Sequence, residues 1–431
     1  MSFRSVVKRF IPSGLFPAIE PWGHLVEAVL FNAFNGFPAR GMKVIGVTGT
    51  NGKTSTVFMV HKMLQKAGYK TGLMSTVAWG IGEDIRPQMQ HYTNVPPPEL
   101  MRRLKEMRAA KIDYLVLETT SQALAQNRVW GIPYSVAVMT NVTHEHLDYH
   151  KTFERYRDAK RKLFKLANRN HRGLRTGVIN AEDPSAALFA GDIKHALLYG
   201  IKKGEVRAEK VKMLPSGSTY QVRYKGQQYN IACQLPGSFN VYNSLAVVCV
   251  GLAVGLSKDQ IERGIAALKS VEGRMNRIDE GQDFDVIVDF AHTPDSFKKL
   301  FEDFRPAVKG KLIAVFGTPG RRDMTKGVEQ GELAGTYCDE VVVTEEDDRD
   351  VDPQLLMEQV TGGAEKAGKV RDKDLFLVHD RTEAIKFALS RAKKGDTVLL
   401  LGKGHEKTIE SADGARPWDE IGTAKKILRH R

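Results

Sequence analysis

A run of glycines followed by lysine and threonine is the pattern in this chain that most directly suggests chemistry. It reads Gly-Val-Thr-Gly-Thr-Asn-Gly-Lys-Thr over residues 46–54. Glycines let backbone N–H groups turn toward phosphate oxygens, and the dipole of a following helix favours the same negative charge. Lys53 can bridge phosphates, and the Thr54 hydroxyl can bind Mg²⁺. The pattern therefore predicts a phosphate-binding loop at the start of a helix.

Carboxylate and imidazole groups follow two apolar runs further along the chain. Glu118 ends the run Tyr114–Leu117, and a carboxylate at the end of a strand suits a hard ion such as Mg²⁺. The next run ends in a polar segment with three histidines within residues 144–150. Three histidines so close together would by themselves suggest zinc. The phosphate loop upstream favours a magnesium site that serves ATP.

The elements around these residues alternate between strand and helix. The apolar run Lys43–Val47 leads into the loop, and a helical pattern follows from Thr54 to Ala67. Further strands are predicted at Tyr114–Leu117, Ser135–Met139 and Thr176–Ile179. Such alternation is typical of a mainly parallel sheet with helices on both faces. Residues 205–232 instead alternate as short runs and predict an antiparallel hairpin.

A second alternating series begins near Asp285 and predicts a smaller doubly wound domain. We therefore expect an α/β fold with a central P-loop ATPase domain and a Rossmann-like C-terminal domain. The predicted parts are an N-terminal arm and helix over residues 1–41, a central ATP-binding domain over 42–275 and a C-terminal domain over 276–431.

Composition and charge exclude several classes of protein. The 431 residues are 42% hydrophobic and 27% charged, as is usual for globular proteins, and no run approaches the roughly 18 apolar residues of a spanning helix. The N-terminus lacks the pattern of a secretory signal. Cys233, Cys249 and Cys338 have neither metal nor disulfide spacing. These features predict a cytoplasmic protein.

The net charge of +13 allows a nucleic-acid partner, an anionic substrate or an anionic membrane surface. No basic run is interleaved with stacking aromatics, so polyanionic nucleotides explain the charge more economically; surplus surface lysine is the plain alternative. We expect small-molecule substrates, no nucleic acid and a monomer. A nucleotide-binding scaffold or nucleic-acid-dependent ATPase is the rival outside the ligases.

Residues 49–55 resemble the ATP loop of the Mur ligase and folylpolyglutamate synthetase superfamily, and further motifs extend the likeness from about residue 42 to 420. Within it the chain is most similar to the MurE type. The resemblance implies an ATP-dependent ligase that forms an amide bond through an acyl-phosphate. It also implies ATP contacts from Gly49, Thr50, Asn51, Gly52, Lys53, Thr54 and Ser55.

The family's metal ligands match this chain residue by residue. Asn141, His146 and Asp148 fit its Asn…Asp-His-x-Asp motif, although Glu145 replaces the usual Asp. The family's carbamylated lysine falls at Lys160; without the family, this is one lysine on a charged helix. The resemblance implies two Mg²⁺ ions held by Thr54, Glu118, His146 and carbamylated Lys160. It assigns catalysis to Lys53, Glu118, His146 and Lys160.

The resemblance supplies further nucleotide contacts. It places adenine near Asn243 and His292, the phosphates near Arg274 and the ribose near Asp289. Residues 316–326 resemble the family's Gly-x-Gly-Gly-x-Arg-Asp-x-x-Lys loop, with Pro319 in place of a glycine.

The incoming amino acid is predicted from residues 346–349, which match an Asp-Asn-Pro-Arg motif that selects diaminopimelate in MurE enzymes. Arg349 is retained and could hold a carboxylate, while the added Asp residues suit an extra ammonium. We expect a dibasic amino acid: diaminopimelate, lysine or ornithine. Gly402 and Glu406 match further amino-acid contacts of the MurE type. The alternative is an exposed acidic turn without a ligand.

The acceptor implied by the resemblance is the carboxylate of a UDP-N-acetylmuramoyl-peptide, in peptidoglycan precursor synthesis. Its contacts are expected from Thr93, Asn94, Ser121 and Arg128. About 42 residues precede the phosphate loop, so we expect the family's uridine-binding domain to be missing; Asn94 and Gln122 also depart from the family pattern. A lipid-linked or folate-like acceptor therefore stays open. A basic arm with Phe3, Phe10 and Phe16 is hypothesised to touch a membrane.

Overall fold

The computed structural model describes residues 16–88, 92–214, 216–321 and 325–431. Phe3 and Phe10 of the predicted arm and residues 322–324 of the predicted loop lie outside these ranges. The backbones of Phe16 and Asp148 are described, but their side chains are not. The chain divides into two compact units. The first comprises residues 1–210, 220–231 and 242–267, and the second comprises 211–219, 232–241 and 268–431.

Most of an eleven-stranded sheet belongs to the first unit. Its strands are β1 Lys43–Thr48, β2 Thr71–Met74, β3 Ala78–Ile81, β4 Asp84–Pro87, β5 Tyr114–Glu118, β6 Tyr134–Met139, β7 Thr176–Asn180, β8 His195–Gly200, β9 Val206–Leu214, β10 Gly217–Tyr224 and β11 Gln227–Cys233. The order is β11-β10-β9-β8-β7-β6-β1-β5-β2-β3-β4. β1 lies between β5 and β6 and runs parallel to both, with Val47 opposite Glu118 and Thr48 opposite Met139. The segments that follow these three strands therefore leave the sheet at one edge.

Helices in this part of the chain follow the strands closely. They are α1 Phe16–Phe34, α2 Lys53–Lys66, α3 Pro97–Ala109, α4 Ser121–Ala125, α5 Leu147–His150, α6 Phe153–Arg169, α7 Ala186–Gly191, α8 Ser238–Ala253 and α9 Lys258–Ala266. The α6 helix begins where the Thr152 hydroxyl accepts a hydrogen bond from the backbone N–H of Arg155 at 3.3 Å. The α3 helix begins at Pro97, whose missing N–H would have no helical partner there.

The second unit is built on a six-stranded sheet of order β12-β13-β17-β14-β15-β16. Its strands are β12 Asn276–Ile278, β13 Asp285–Asp289, β14 Leu312–Phe316, β15 Glu340–Val343, β16 Leu375–Leu377 and β17 Thr397–Leu401, followed by the hairpin β18 Thr408–Ser411 and β19 Gly414–Pro417. The helices are α10 Pro294–Phe304, α11 Thr325–Tyr337, α12 Pro353–Lys366, α13 Arg381–Arg391 and α14 Glu420–Arg429. Only β12 is antiparallel in the described sheet.

Side chains of this sheet alternate between two hydrophobic cores. Ala314 and Leu399 belong to one cluster, while Val315 and Leu400 belong to the other. This is the two-residue period of a strand that is covered on both faces. The predicted fold class is confirmed: a mainly parallel sheet and a smaller doubly wound sheet.

Some boundaries differ from those predicted. Within the predicted N-terminal part, the described helix spans Phe16–Phe34 and ends before the predicted boundary at residue 41. The second unit's main segment begins at Leu268, and the proposed junction at 275/276 stays a prediction. Among the described residues, no helix combines the length and the apolar character needed to cross a membrane.

Candidate active site

The phosphate loop between β1 and α2 is fastened to the segment that follows β6. The backbone N–H of Thr50 donates to the carbonyl of Asn141 at 2.8 Å. The N–H of Asn51 donates to Asn141 Oδ1 at 2.9 Å, and Thr140 Oγ1 donates to the carbonyl of Asn51 at 2.6 Å. The first amides of α2 lack partners within the helix, as at any helix start, and form a site for an anion.

Two glycines of this loop are required by their surroundings. Gly49 has a φ of +154°, and a Cβ there would lie 1.8 Å from Thr140 Oγ1. Gly52 has a φ of +83°, and a Cβ there would lie 2.2 Å from Asn243 Oδ1. The predicted adenine contact Asn243 is thus a buried neighbour of the loop. A larger residue at position 49 would clash with Thr140, and one at position 52 would clash with Asn243.

Glu118 binds the start of α2 through the Thr54 hydroxyl, which donates to Glu118 Oε2 at 2.9 Å. Thr76 donates to the same carboxylate twice, from its N–H to Oε2 at 3.0 Å and from its Oγ1 to Oε1 at 2.9 Å. All three donors are neutral, and Glu118 is 1% exposed. A buried negative charge held this way favours a cation, and its oxygen donor set with Thr54 fits Mg²⁺.

Thr76 was missed in the sequence. It directly follows Ser75 after the short strand β2, which is a neighbour of β5 in the sheet. A hydroxyl residue just beyond the end of a parallel strand was the available signal.

Lys160 reaches the same loop from α6. Its Nζ donates to the carbonyl of Gly49 at 2.7 Å, and the side chain is 1% exposed. The Tyr156 hydroxyl, one helical turn earlier, lies 3.0 Å from Thr50 Oγ1. Burial lowers the pKa of Lys160 well below its usual value, and repulsion from Lys53 acts in the same direction. The site therefore favours the neutral amine.

The three histidines do not converge on one point. His144 stacks on Phe153 with ring centroids 4.8 Å apart, and His150 Nε2 lies 3.0 Å from Ser121 Oγ. His146 has a φ of +55°, and its Nε2 lies 3.7 Å from Glu145 Oε2. In the part of the chain that the structure describes, they form no cluster of potential metal ligands. The zinc interpretation has no support here.

The predicted acceptor residues connect to the end of β5. Asn94 Nδ2 donates to the carbonyl of Glu118 at 2.8 Å, and Arg128 Nη1 donates to the carbonyl of Asn94 at 2.9 Å. Thr93 Oγ1 lies 2.8 Å from Thr76 Oγ1. Asn94 is thus bonded to the backbone of Glu118, Thr93 contacts Glu118 only through Thr76, and Arg128 contacts it only through Asn94. Ser121 instead bonds to His150.

In the second unit, Arg274 and His292 group around Phe290. The Arg274 guanidinium lies 4.5 Å from the centre of the Phe290 ring, and the His292 ring centroid is 4.6 Å from it. Asp289 accepts backbone hydrogen bonds from Met275 at 2.8 Å and from Ala291 at 2.7 Å. Burial raises the pKa of Asp289, while Arg274 opposes that shift. Phe290 was not among the predicted site residues, although it lies inside their motif.

The acidic segment after β15 is buried, so the alternative of an exposed acidic turn is wrong. Glu345, Glu346, Asp347 and Asp348 are all less than a tenth exposed, at 7%, 5%, 5% and 6%. Buried cations from other elements accompany them. Lys403 is fully buried, and its Nζ donates to Asp347 Oδ1 at 2.7 Å and to Glu406 Oε2 at 2.6 Å.

The predicted amino-acid contacts gather around this segment. Arg349 Nη2 lies 3.9 Å from Asp347 Oδ2, and its Nε donates to Glu410 Oε2 at 2.8 Å. A Cβ on Gly402, whose φ is +98°, would lie 2.6 Å from Glu346 Oε2. Arg349, Gly402 and Glu406 therefore surround one acidic cluster. Lys403, which sequence reasoning overlooked, joins Glu406 to it.

Glu346 gives the stability of the fold a pH dependence. Burial raises its pKa from 4.5 to about 8, so the folded state favours the protonated carboxyl. Its contribution to stability is complete below about pH 4.5 and is lost as the pH rises through about 8. We expect Glu346→Gln to match the wild type at pH 5 and to be more stable by roughly 2–4 kcal/mol at pH 9. Denaturant unfolding at both pH values measures this.

The control is Glu358→Gln, on the surface of α12 and 39% exposed. Equal stability of Glu346→Gln and wild type at pH 9 would contradict a protonated Glu346.

Comparison with known proteins decides the family. The Mur ligase middle domain matches residues 47–251, and the Mur ligase, glutamate ligase domain matches residues 273–404. A UDP-N-acetylmuramyl-tripeptide synthetase of Roseiflexus sp. (strain RS-1) is 40% identical over 428 residues, with 96% of this chain and 84% of that protein covered. The chain belongs to the Mur ligase family.

Other relatives place this Mur ligase with the MurE type. The UDP-N-acetylmuramoyl-L-alanyl-D-glutamate–2,6-diaminopimelate ligase of Bacillus licheniformis is 38% identical over 405 residues, covering 93% of this chain and 81% of its own. A solved structure of a ligase with the same name has a TM-score of 0.64 at 25% identity, covering 96% of this chain and 83% of that one. A Mycobacterium tuberculosis folylpolyglutamate synthase, at 19% identity and TM-score 0.73 over 88% and 92% of the two chains, shares the fold.

Membership confirms the predicted class of enzyme. Mur ligases are ATP-dependent amide ligases that form ADP and phosphate and require Mg²⁺. This Mur ligase therefore uses ATP and Mg²⁺. The roles of individual site residues stay predictions.

Proposed function

We propose that this Mur ligase joins an amino acid to the carboxylate of a UDP-N-acetylmuramoyl-dipeptide through an acyl-phosphate. The observation that carries the proposal is that the side chains of Glu118 and Lys160 both bond to the phosphate loop and the start of its helix. Thr54 bonds to buried Glu118 at 2.9 Å, and buried Lys160 bonds to Gly49 at 2.7 Å. One similar protein is named a UDP-N-acetylmuramyl-tripeptide synthetase, and another is named a UDP-N-acetylmuramoyl-L-alanyl-D-glutamate–2,6-diaminopimelate ligase. We also propose a monomer in the cytoplasm that acts on small molecules.

Each part of the loop has a task in phosphoryl transfer. Lys53 Nζ donates to the carbonyl of Thr50 at 2.7 Å, so its charge already lies on the loop that would receive the phosphates. There it would neutralise the oxygens approached by the acceptor carboxylate. Thr54 and Glu118 would hold one Mg²⁺, which when bound supplies electrophilic assistance at phosphate oxygens. Thr76 positions Glu118 for this through its two hydrogen bonds.

Lys160 is proposed to carry a carbamate that would help to hold a second Mg²⁺ with His146. A neutral amine can take up CO₂, and the resulting anion is an oxygen ligand. Burial beside Lys53 favours the neutral amine. The Nζ position is fixed by the Gly49 carbonyl and by the Tyr156 ring, whose centre is 4.3 Å away.

Lys160→Ala is expected to lower kcat by about a hundredfold or more, because removing one group that stabilises transition-state charge has effects of this order. Acetate should restore part of the activity, since it can replace the missing carboxylate-like ligand. The assay is ADP release with and without acetate, and Lys165→Ala, exposed on the same helix, is the control. A variant that acetate does not rescue would contradict a carbamate.

The amino acid is proposed to be dibasic. The acidic segment places the buried carboxylates of Glu345 and Asp348 close together beside Asp347, and an ammonium group of the substrate would complement their charge. Arg349 would hold the carboxylate at the other end of the substrate. Diaminopimelate, lysine and ornithine share this pattern of charges.

Mass spectrometry of reaction products tests the proposal. The full chain is incubated with ATP, Mg²⁺, UDP-N-acetylmuramoyl-dipeptide and a mixture of amino acids, and then with each amino acid alone. We expect the acceptor to gain the mass of one dibasic amino acid, with one ADP formed per product. A mass gain from a neutral or acidic amino acid would overturn the dibasic proposal. No product with ATP binding intact would reject this acceptor in favour of a lipid-linked or other carboxylate.

A further inference from the structure

The outward face of α1 is apolar from Ile19 to Phe34. The exposed side chains with large apolar groups are Ile19 at 44%, Trp22 at 69%, Val26 at 57%, Leu30 at 48%, Phe34 at 84% and, just beyond the helix, Phe37 at 38%. Their spacing of three or four residues places them on one side of the helix. Soluble proteins rarely expose continuous apolar faces of this kind unless a partner covers them. We call these six residues the α1 face.

The described acidic and histidine side chains of α1 are mostly covered and do not belong to this face. His24 lies 3.8 Å from Glu20 and 3.7 Å from Glu27, and each of the three side chains is a quarter exposed or less. Every exposed residue described between positions 19 and 37 is apolar or glycine. Asn32, on the buried side, donates to the carbonyl of Trp130 at 3.2 Å and fixes the helix against its unit. The orientation of the face is therefore set by contacts on the opposite side.

Cations flank the α1 face in the sequence. Residues 1–18 contain Arg4, Lys8 and Arg9 and no acidic residue. Arg40 and Lys43, which follow the face, are both exposed. An apolar stripe with an exposed tryptophan and basic flanks matches the two components of a bilayer surface, an acyl layer and anionic headgroups.

We propose that the α1 face docks this Mur ligase on an anionic lipid surface. The apolar side chains would enter the boundary between headgroups and acyl chains, and the flanking arginines and lysines would pair with anionic headgroups. A second copy of the chain would also cover an apolar face, but basic flanks on both copies would repel each other. The proposal does not depend on the identity of the substrates.

Vesicle sedimentation with the full chain tests this docking. The vesicles contain roughly one third phosphatidylglycerol in phosphatidylcholine, and pure phosphatidylcholine serves for comparison. We expect binding to the anionic vesicles that weakens with added salt. The double variant Trp22→Ser/Phe34→Ser should bind at least about tenfold more weakly, because both side chains would otherwise contribute buried apolar area. Both residues are exposed, so the variant should melt like the wild type.

Matched controls distinguish the face from general hydrophobicity. Leu188→Ser and Leu355→Ser remove exposed leucines elsewhere and should bind like the wild type. The Trp22→Phe variant should still bind the anionic vesicles, but it should lose any blue shift of tryptophan fluorescence that vesicle binding causes in the wild type. Absence of binding to the anionic vesicles, or equal binding by the double variant, would overturn the proposal. So would a dimer in solution that the double variant dissociates while vesicle binding is unchanged.

Discussion

Lys53→Ala is expected to lower the rate of ligation by about a thousandfold, because positioned cations on transferring phosphates have effects of this order. Lys53 Nζ is 2.7 Å from the Thr50 carbonyl, so the ammonium belongs to the phosphate loop itself. Its removal leaves the phosphate oxygens without that charge while leaving β1 and α2 in place. Steady-state ADP release and product mass, measured at saturating ATP, report the loss in kcat.

Lys66→Ala is the matched control, since Lys66 is exposed in the last turn of the same helix. It should retain wild-type activity and stability. A Lys53→Ala enzyme with near-normal kcat would remove this residue from the catalytic set.

Glu118→Gln is expected to lower kcat by about a hundredfold to a thousandfold and to raise the Mg²⁺ concentration that half-saturates the enzyme. Glutamine keeps an oxygen that can accept from Thr54 or Thr76, so the variant tests the charge more than the fold. The measurement is a Mg²⁺ titration of ADP release, with thermal melting to check folding.

Glu154→Gln, exposed at the start of α6, is the control for this change. Wild-type Mg²⁺ dependence in Glu118→Gln would place the metal elsewhere. A loss of activity without any change in Mg²⁺ dependence would make Glu118 a positioning residue for α2.

The parallel sheets could be predicted because their strands are continuous apolar runs that end in polar residues. β5 illustrates this: all five of its residues are buried, and the run ends at Glu118. Because the carboxyl ends of parallel strands lie on the same side of a sheet, the positions of the strands also predict which loops lie together. The phosphate loop could be located for the same reason, since it follows β1 and precedes α2.

Contacts between distant positions could not be predicted in the same way. Lys403 and Asp347 are 56 positions apart, and either residue alone is an ordinary surface type. The acidic segment is buried beside Lys403, which follows β17, and periodicity carries no information about that partner. The exposed side of α1 could not be predicted either, because apolar residues occur on both sides of that helix.

The hydrogen bonds from Thr50 and Asn51 to Asn141 have a consequence for the thermodynamics of nucleotide binding. Holding a backbone residue in one conformation costs about 1–2 kcal/mol of conformational entropy. In this protein that loss occurs for these two residues when the chain folds, since the protein's own contacts hold them. A nucleotide then meets a preorganised loop, and more of its interaction energy is available as affinity.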